Sequence, residues 1–357
     1  AMSILSYVFL TALALGLGFS LVRRDRELTI TVVVVALLAA LFYLLGGVGS
    51  LNVLSIAAAV LVGAAIAAYA FRFLLIALLP HGGAQVMRTA PLTAAFGMLV
   101  ILIYAIAGLF APLIAPYGEA EVVGSAFAMA DDQMILGADQ LGRDLFSRLI
   151  YGARNTVGLA LMATVLAFIA GAIAGLLAAI KGGWFDQVMG RLADVIMSIP
   201  SLIFALLILS IFGTNLGVIV VTVAVIYSPR VFRLTRAVAG NIVVMDYVEA
   251  AKLRGEGDWY LIRREILPNS TAPLVAEFGL EFCFVFLLIA GLSFLGLGIQ
   301  PPTADWGSMV RENATLISFG VVTPLIPAAA IALLTVAINF VVDWMLYRSS
   351  GLKEGEG

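Results

Sequence analysis

The chain has 357 residues, of which 62% are hydrophobic and 12% charged, and its formal net charge is −2. Soluble domains are about 45–50% apolar and about 25% charged, so this composition excludes an ordinary soluble fold and predicts an integral membrane protein. The slightly negative charge argues against nucleic-acid binding, which needs a basic face. The one cysteine, Cys283, excludes a disulfide within the chain, and the sequence has no Cys/His spacing typical of a metal site.

Long apolar segments recur along the whole sequence. A helix needs roughly 20 apolar residues to cross a hydrocarbon core about 30 Å thick. Strands of a membrane barrel alternate apolar and polar residues over about ten positions, whereas these segments are continuously apolar, so we predict an all-α polytopic protein. The nine predicted spans are residues 3–22, 28–46, 53–79, 92–115, 156–180, 188–212, 215–235, 270–297 and 319–347.

The distribution of Lys and Arg predicts the orientation. These residues favour the cytoplasmic side of a membrane. With the N-terminus outside, the inside loops carry most of the Lys and Arg, including the cluster at 236–264. The outside loops carry only Arg143, Arg148, Arg154 and Arg311. We therefore expect the N-terminus outside, the C-terminus in the cytoplasm, an external loop at 116–155 and a cytoplasmic segment at 237–268.

The cytoplasmic segment has the pattern of two short amphipathic helices that meet at a glycine corner. Gly255 and Gly257 break the first helix, and Asp258 can cap the second. Pro268 is expected to end that second helix and begin the next span. Such a projection can dock into a groove on another protein, or it can simply anchor the chain at the membrane surface.

The order of residues in this segment resembles the EAA loop of ABC importer permeases: Glu-Ala-Ala, three residues, Gly, and a spacer ending in Leu-Pro. The resemblance implies a coupling helix that inserts into a cleft of an ATPase subunit. It also implies that the alanines allow close approach and that the glycine supplies the bend, while the glutamate could pair with a nearby arginine. The residues concerned are Glu249, Ala250, Ala251, Gly255, Leu267 and Pro268.

Three further stretches, at 136–154, 186–200 and 292–307, resemble one branch of these importers, the dipeptide/oligopeptide/nickel permeases, and within it the C-type second permease of the pair. The resemblance covers residues 92–347 and six spans. It implies a type I ABC importer permease core at 91–348, preceded by an additional N-terminal region of three helices at 1–90 and followed by a cytoplasmic tail at 349–357. It also implies a multi-pass protein of the bacterial inner membrane.

The resemblance implies partners as well. These are a second homologous permease subunit, two ABC ATPase subunits that would hold ATP and Mg, and a substrate-binding protein, with membrane lipid around the spans. The chain itself has no G-x-x-x-x-G-K-[ST] motif to cradle nucleotide phosphates, so we expect it to bind no cofactor and to be a transport subunit rather than an enzyme.

Two sets of residues are candidates for a transport pathway. Glu277 and Glu281 are four residues apart and share one helix face, where they could line a watery cavity and meet a peptide's amino group. Alternatively, Glu277 lies near the cytoplasmic end, within reach of water or of Arg264. Family members often place a glutamate at the position where this chain has Ile289. The second set could shape an external mouth for a binding protein, or seal the top of the pore: Gly142, Arg143, Asp144, Pro301, Pro302 and Trp306.

The function expected from the resemblance is passage of di- or oligopeptides from a binding protein across the inner membrane. Nickel chelates, glutathione and other peptide-like solutes stay open as substrates. An ion-coupled secondary transporter would need its own ion site, for which only Glu277 and Glu281 are candidates. A membrane-embedded enzyme would need a catalytic constellation, and the sequence contains none that is recognisable.

Overall fold

The computed structural model describes residues 57–319 and 323–349. The predicted spans at 3–22 and 28–46 lie outside these residues. The chain divides into two compact units, Ala1–Phe96 and Gly97–Gly357. The described helices, numbered in chain order, are α1 (Ala57–Leu78), α2 (His81–Thr89), α3 (Leu92–Leu109), α4 (Ala111–Ile114), α5 (Leu145–Lys181), α6 (Gly183–Met197), α7 (Ser201–Phe212), α8 (Leu216–Val243), α9 (Asp246–Leu253), α10 (Asp258–Phe294), α11 (Trp306–Asn313) and α12 (Leu325–Ser349).

The helical class predicted from the sequence is confirmed. Six helices in the described ranges are long and apolar enough to cross a membrane, and the bent pair α6–α7 makes a seventh candidate. These seven correspond to seven of the nine predicted spans. Outside helices, the extended pairing recorded among the described residues is limited to two isolated β-bridges, Val122 with Arg143 and Ala138 with Asp144.

In the first unit, the described part comprises α1, α2 and the first turn of α3. Arg72, near the end of α1, donates a hydrogen bond from Nη1 to the carbonyl of Ala90 at 2.9 Å. This bond holds the end of α1 near the start of α3.

The apolar segment predicted as a span at 188–212 is helical but bent. The structure breaks it into α6 and α7, which meet at an angle of 86°. Pro200 explains the break, because proline lacks an N–H and its ring forces the preceding residue out of the helical conformation. At 1.5 Å per residue, α7 is only about 18 Å long, so it crosses roughly half of a bilayer core.

Helix α5 begins at Leu145, well inside the segment predicted as external loop 116–155. Asp144 caps it, since its Oδ2 accepts a hydrogen bond from the backbone N–H of Ser147 at 2.8 Å. The helix includes a π-helical turn at Ala153–Val157. The segment between α4 and α5 is therefore shorter than the sequence suggested.

The predicted stop at Pro268 is also wrong, because α10 runs without interruption from Asp258 to Phe294. A π-helical segment, Leu261–Ile266, precedes the proline, and the N–H of Leu267 donates to the carbonyl of Ile262 five residues earlier. The wider turn lies where the proline would otherwise clash with the carbonyl of the preceding turn.

The core of the second unit is built around the close packing of α5 on α8. A Cβ placed on Gly171 would lie 2.5 Å from the carbonyl oxygen of Ser228, and one on Gly175 would lie 2.8 Å from that of Phe232. Two glycines four residues apart therefore let the two backbones touch, as in membrane helix pairs generally. Helix α10 packs against α8, α5 and α12 and fills the centre of the unit.

Candidate functional site

The segment predicted to couple to an ATPase is a helix followed by a tight turn. Helix α9 ends at Leu253, and the N–H of Gly255 and of Glu256 donate to the carbonyls of Lys252 and Ala251 at 2.9 and 3.2 Å. Gly255 has a φ of +83°, in the left-handed region that glycine adopts without strain. The glycine bend expected at this position is thus present, and α10 starts three residues later.

One face of α9 is buried within the chain. Val248 and Ala251 pack against Ile262 and Ile266 of the π-helical segment, and this cluster also includes Leu176 of α5. The small side chain of Ala251, which is fully buried, lets α9 lie directly on α10. Of the two alanines in the Glu-Ala-Ala motif, Ala251 therefore packs inward and Ala250 is exposed.

The opposite side of this segment exposes large apolar side chains. Leu253 is 84% exposed and Trp259 is 69% exposed, and the side chain of Tyr247 is also exposed. Glu249 is exposed as well, and it forms no salt bridge within the described residues, so the pairing with an arginine that the sequence suggested is not present. Leu267 and Pro268, further along α10, are also exposed. We call this surface, formed by the exposed residues Tyr247, Glu249, Ala250, Leu253 and Trp259 with Leu267 and Pro268, the coupling surface.

At the other end of the spans, buried charges join the segment before α5 to α11. Arg143 Nε lies 2.7 Å from Asp139 Oδ2, and Arg143 Nη2 lies 3.1 Å from Glu312 Oε2. Arg148 approaches the same two carboxylates at 3.3 and 3.6 Å. Both arginines and Asp139 are buried. Two arginines and two carboxylates therefore form one network, which we call the loop cluster.

Glu119 adds further links between the same segments. Its Oε2 accepts hydrogen bonds from the side-chain amide of Asn155 at 3.0 Å and from the backbone N–H of Ala304 at 2.9 Å. Its backbone carbonyl accepts one from Arg148 at 2.9 Å. The Glu119 side chain of the connection before α5 thus binds the backbone of the connection before α11.

Trp306 is the largest buried side chain of this region. Its Nε1 donates to the carbonyl of Leu149 at 2.9 Å, and its ring meets those of Tyr104 and Phe286 edge to face. The ring lies directly on Gly152, where a Cβ would come within 2.4 Å of it. Trp306 is therefore part of the core. The sequence had suggested an exposed external turn at this position.

Asp305 caps α11 from a fully buried position. Its carboxylate accepts hydrogen bonds from the N–H of Ser308 at 2.9 Å and from the hydroxyl of Thr156 at 2.8 Å. Burial raises the pKa of this carboxyl above its ordinary value, and the hydrogen bonds offset part of that rise.

Of the six residues proposed for an external mouth, four are interior and two are on the surface. Gly142, Arg143, Asp144 and Trp306 are buried, whereas Pro301 and Pro302 are exposed and joined by a cis peptide bond. The buried four support the fold of the loop cluster, so only the two prolines can touch a partner in this conformation.

The two glutamates of the predicted pathway lie in the middle of α10. Glu281 is 2% exposed, and its Oε2 has no hydrogen-bond partner in the described residues. Glu277 is half-buried. The alternative that Glu277 reaches Arg264 is wrong, because both lie on one continuous helix and are separated by about 20 Å along it. Ile289 is buried in the hydrophobic core of the unit.

Arg230, on helix α8 that packs against α10, was not recognised from the sequence as a functional candidate. Its guanidinium lies over the rings of Tyr227 and Phe284, at 5.3 and 5.0 Å from their centroids. The signal was available: an arginine inside a span is costly and is a functional candidate by default. Arg230 was overlooked because the many apolar residues around it identify the segment as a span.

Comparison with known proteins accounts for this arrangement. The model of the family "Binding-protein-dependent transport system inner membrane component" matches residues 167–350. A di/tripeptide transport system permease protein of Pseudomonas aeruginosa is 37% identical over 69% of this chain and 84% of its own length. The chain belongs to this permease family. It is thus a multi-pass inner-membrane permease subunit of a binding-protein-dependent ABC importer.

Other relatives of the permease have related names. A glutathione transport system permease protein of Pectobacterium atrosepticum is 35% identical over 58% of this chain and 69% of its own length. A probable D,D-dipeptide transport system permease protein of Escherichia coli is 31% identical over 72% of this chain and 86% of its own. A solved amino acid ABC transporter aligns with a TM-score of 0.41 at 24% identity, over 57% of this chain and 94% of that one.

The family match locates the candidate sites within the permease. Residues 167–350 include the coupling surface, both glutamates of α10, Arg230 and all of α11. The match begins after the loop-cluster residues Asp139, Arg143 and Arg148.

Proposed function

We propose that this permease passes di- or oligopeptides from a substrate-binding protein across the inner membrane, as the second permease of a heteromeric pair. Family membership supports the transport role. The peptide substrate is inferred from similar proteins, because the permeases named for di/tripeptides and D,D-dipeptides match most of the chain. Glutathione is a second candidate, because a permease named for it is 35% identical.

The energy for transport comes from partners in this proposal. Two ABC ATPases would bind ATP and Mg, and this chain would serve as a transport subunit without enzymatic activity of its own. The observation that carries the proposal is the coupling surface: exposed Leu253 and Trp259 lie on a segment that Val248 and Ala251 anchor in the core. Apolar anchors on a helix suit insertion into a groove of another protein.

The proposed orientation places the coupling surface in the cytoplasm and the loop cluster outside. The balance of charge supports it, because the described segments around α9 and the start of α10 are rich in Lys and Arg. The number of predicted spans then puts the N-terminus outside and the C-terminus in the cytoplasm. The loop cluster, with exposed Pro301 and Pro302, would face the substrate-binding protein.

Glu281, with Glu277 one turn away, is proposed to line the pathway between this permease and its homologous partner subunit. A buried carboxylate oxygen without a hydrogen-bond partner is costly in a membrane interior, and such groups are retained where a ligand meets them.

The Glu249→Arg variant tests the coupling proposal. Glu249 is exposed, so the substitution should leave the core intact. We expect normal insertion in the membrane but loss of ATPase subunits on purification and loss of peptide uptake. The control is Asp132→Arg, which makes the same charge change at an exposed residue of the segment before α5, and which should reduce both quantities much less. Full uptake by Glu249→Arg together with full ATPase recovery would contradict the proposal.

Purification of the tagged chain in mild detergent tests the partners directly. Two ATPases and a second permease should accompany it. A homo-oligomer that lacks ATPases in several detergents would refute the assembly proposed here.

A further inference from the structure

Arg230 has an unusual position for a charged side chain. It lies about 21 Å from the start of α8, at 1.5 Å per residue, and is therefore deep within a span. Its guanidinium forms no hydrogen bond and no ion pair within the described residues, and it is exposed at the surface of this chain. The rings of Tyr227 and Phe284 hold it in place. An arginine in such a place is functional by default.

The carboxylate of Glu281 lies at a matching depth. It is about 20 Å from the end of α10 at which the loop cluster lies, so the two charges are at the same level of the bilayer. The ring of Phe284, over which the Arg230 guanidinium lies at 5.0 Å, is three residues from Glu281 on α10. Among the described residues, Arg230 forms no ion pair with Glu281 or with Glu277. Arg230 and Glu281 are thus neighbours of opposite charge that form no ion pair with each other.

A cavity of about 200 Å³ opens beside Arg230. It lies at the break between α6 and α7, where the chain turns by 86°, and its lining includes Pro200, Ser201 and Tyr227 together with Arg230. The hydroxyl of Tyr227 donates to the carbonyl of Phe284 at 3.1 Å, which ties this wall to α10. The broken span therefore leaves a polar recess next to Arg230.

We propose that Arg230 and Glu281, assisted by Glu277, form a subsite for the zwitterionic backbone of a peptide. The guanidinium of Arg230 receives the terminal carboxylate, which charge-assisted hydrogen bonds favour strongly. The unpartnered oxygen of Glu281 receives the terminal ammonium. The proposal rests on the function proposed above and deepens it: the permease distinguishes free peptide ends after the binding protein has released the peptide.

The test uses the complete transporter, with both permeases, the ATPases and the binding protein, reconstituted in lipid vesicles. Uptake of a short peptide is compared with uptake of its C-terminal amide and of its N-acetyl derivative. The three peptides are chosen for equal affinity to the purified binding protein, so that any difference arises after delivery. The variants are Arg230→Gln, Arg230→Lys and Glu281→Gln, and Arg233→Gln, an exposed arginine one turn along α8, is the control.

The wild type is expected to prefer the free peptide to either derivative by roughly ten- to a hundredfold, as expected for hydrogen bonds to charged groups. Arg230→Gln should abolish the preference over the amide, Arg230→Lys should keep part of it, and Glu281→Gln should abolish the preference over the N-acetyl form. Arg233→Gln should keep both. An equal reduction for all three peptides in Arg230→Gln would make Arg230 a structural residue and overturn the subsite. A wild type that imports none of the peptides would instead refute the proposed substrate.

Discussion

Removal of the Asp139 carboxylate should loosen the loop cluster. Asp139 Oδ1 accepts hydrogen bonds from the N–H of Leu141 at 2.8 Å and of Arg143 at 3.0 Å. Its Oδ2 is 2.7 Å from Arg143 Nε and 3.3 Å from Arg148 Nε. In Asp139→Ala, both buried guanidinium groups would depend on Glu312 as their remaining ion-pair partner among the described residues.

The magnitude follows from the burial of these groups. Removal of one partner of a buried ion pair costs about 3–5 kcal/mol, because a buried charge is left unpaired. A cost of that size raises the population of the opened connection before α5 by about two orders of magnitude or more. Asp139→Asn keeps an acceptor for the backbone N–H groups and should lose less, on the order of 1.5–3 kcal/mol.

Proteolysis measures the population of the opened connection before α5, since cleavage of a transiently opened segment tracks its equilibrium opening. The chain is placed in sealed vesicles with the loop-cluster side facing the protease. The rate of cleavage within residues 116–144 should increase strongly in Asp139→Ala and moderately in Asp139→Asn. Asp132→Ala, at an exposed aspartate, is the control and should be cleaved at the wild-type rate. If Asp139→Ala is cleaved no faster than Asp132→Ala while inserted at the same level, the loop cluster does not hold the connection closed.

Two further predictions concern the turn at the coupling surface and the cap of α11. Gly255→Ala should reduce uptake and ATPase recovery, because a left-handed residue other than glycine costs roughly 1–2 kcal/mol. The control Gly257→Ala, at a residue with a φ of −80°, should leave uptake and ATPase recovery unchanged. Equal effects of the two substitutions would contradict this prediction. For Asp305, burial raises the pKa of the carboxyl in the folded chain, so the unfolded chain releases its proton first and stability falls as pH rises through the folded pKa. The thermal stability of the wild type relative to Asp305→Asn should therefore decrease from roughly pH 4 upward; a relative stability that increases with pH would contradict the burial effect.

The spans could be predicted from the sequence because their signal is long and continuous. Helices α1, α3, α8 and α12 occupy the predicted segments to within several residues, since a run of about 20 apolar residues has few other stable arrangements in a membrane. The left-handed bend at Gly255 was predictable for a local reason, the conformational freedom of glycine.

The features that the sequence did not reveal depend on contacts between distant residues. The start of α5 was assigned to a loop because Asp144 and Arg148 are charged, and their partners are a neighbouring serine and the distant Glu312. Pro268 was expected to end a helix, but a π-helical segment accommodates it. The closeness of Arg230 to Glu281 required the packing of α8 against α10, which no local pattern specifies.

The continuity of α10 has a mechanical consequence. Trp259 at its start belongs to the coupling surface, and Glu281 lies about 33 Å further along the same helix. A rigid rod of that length converts a tilt of about 5° at one end into a displacement of about 3 Å at Glu281, enough to make or break a hydrogen bond. Pro273 lies between the two residues and is the natural point of flexure. The stiffness of α10 around its two prolines, Pro268 and Pro273, thus sets how much of a movement at the coupling surface reaches Glu281.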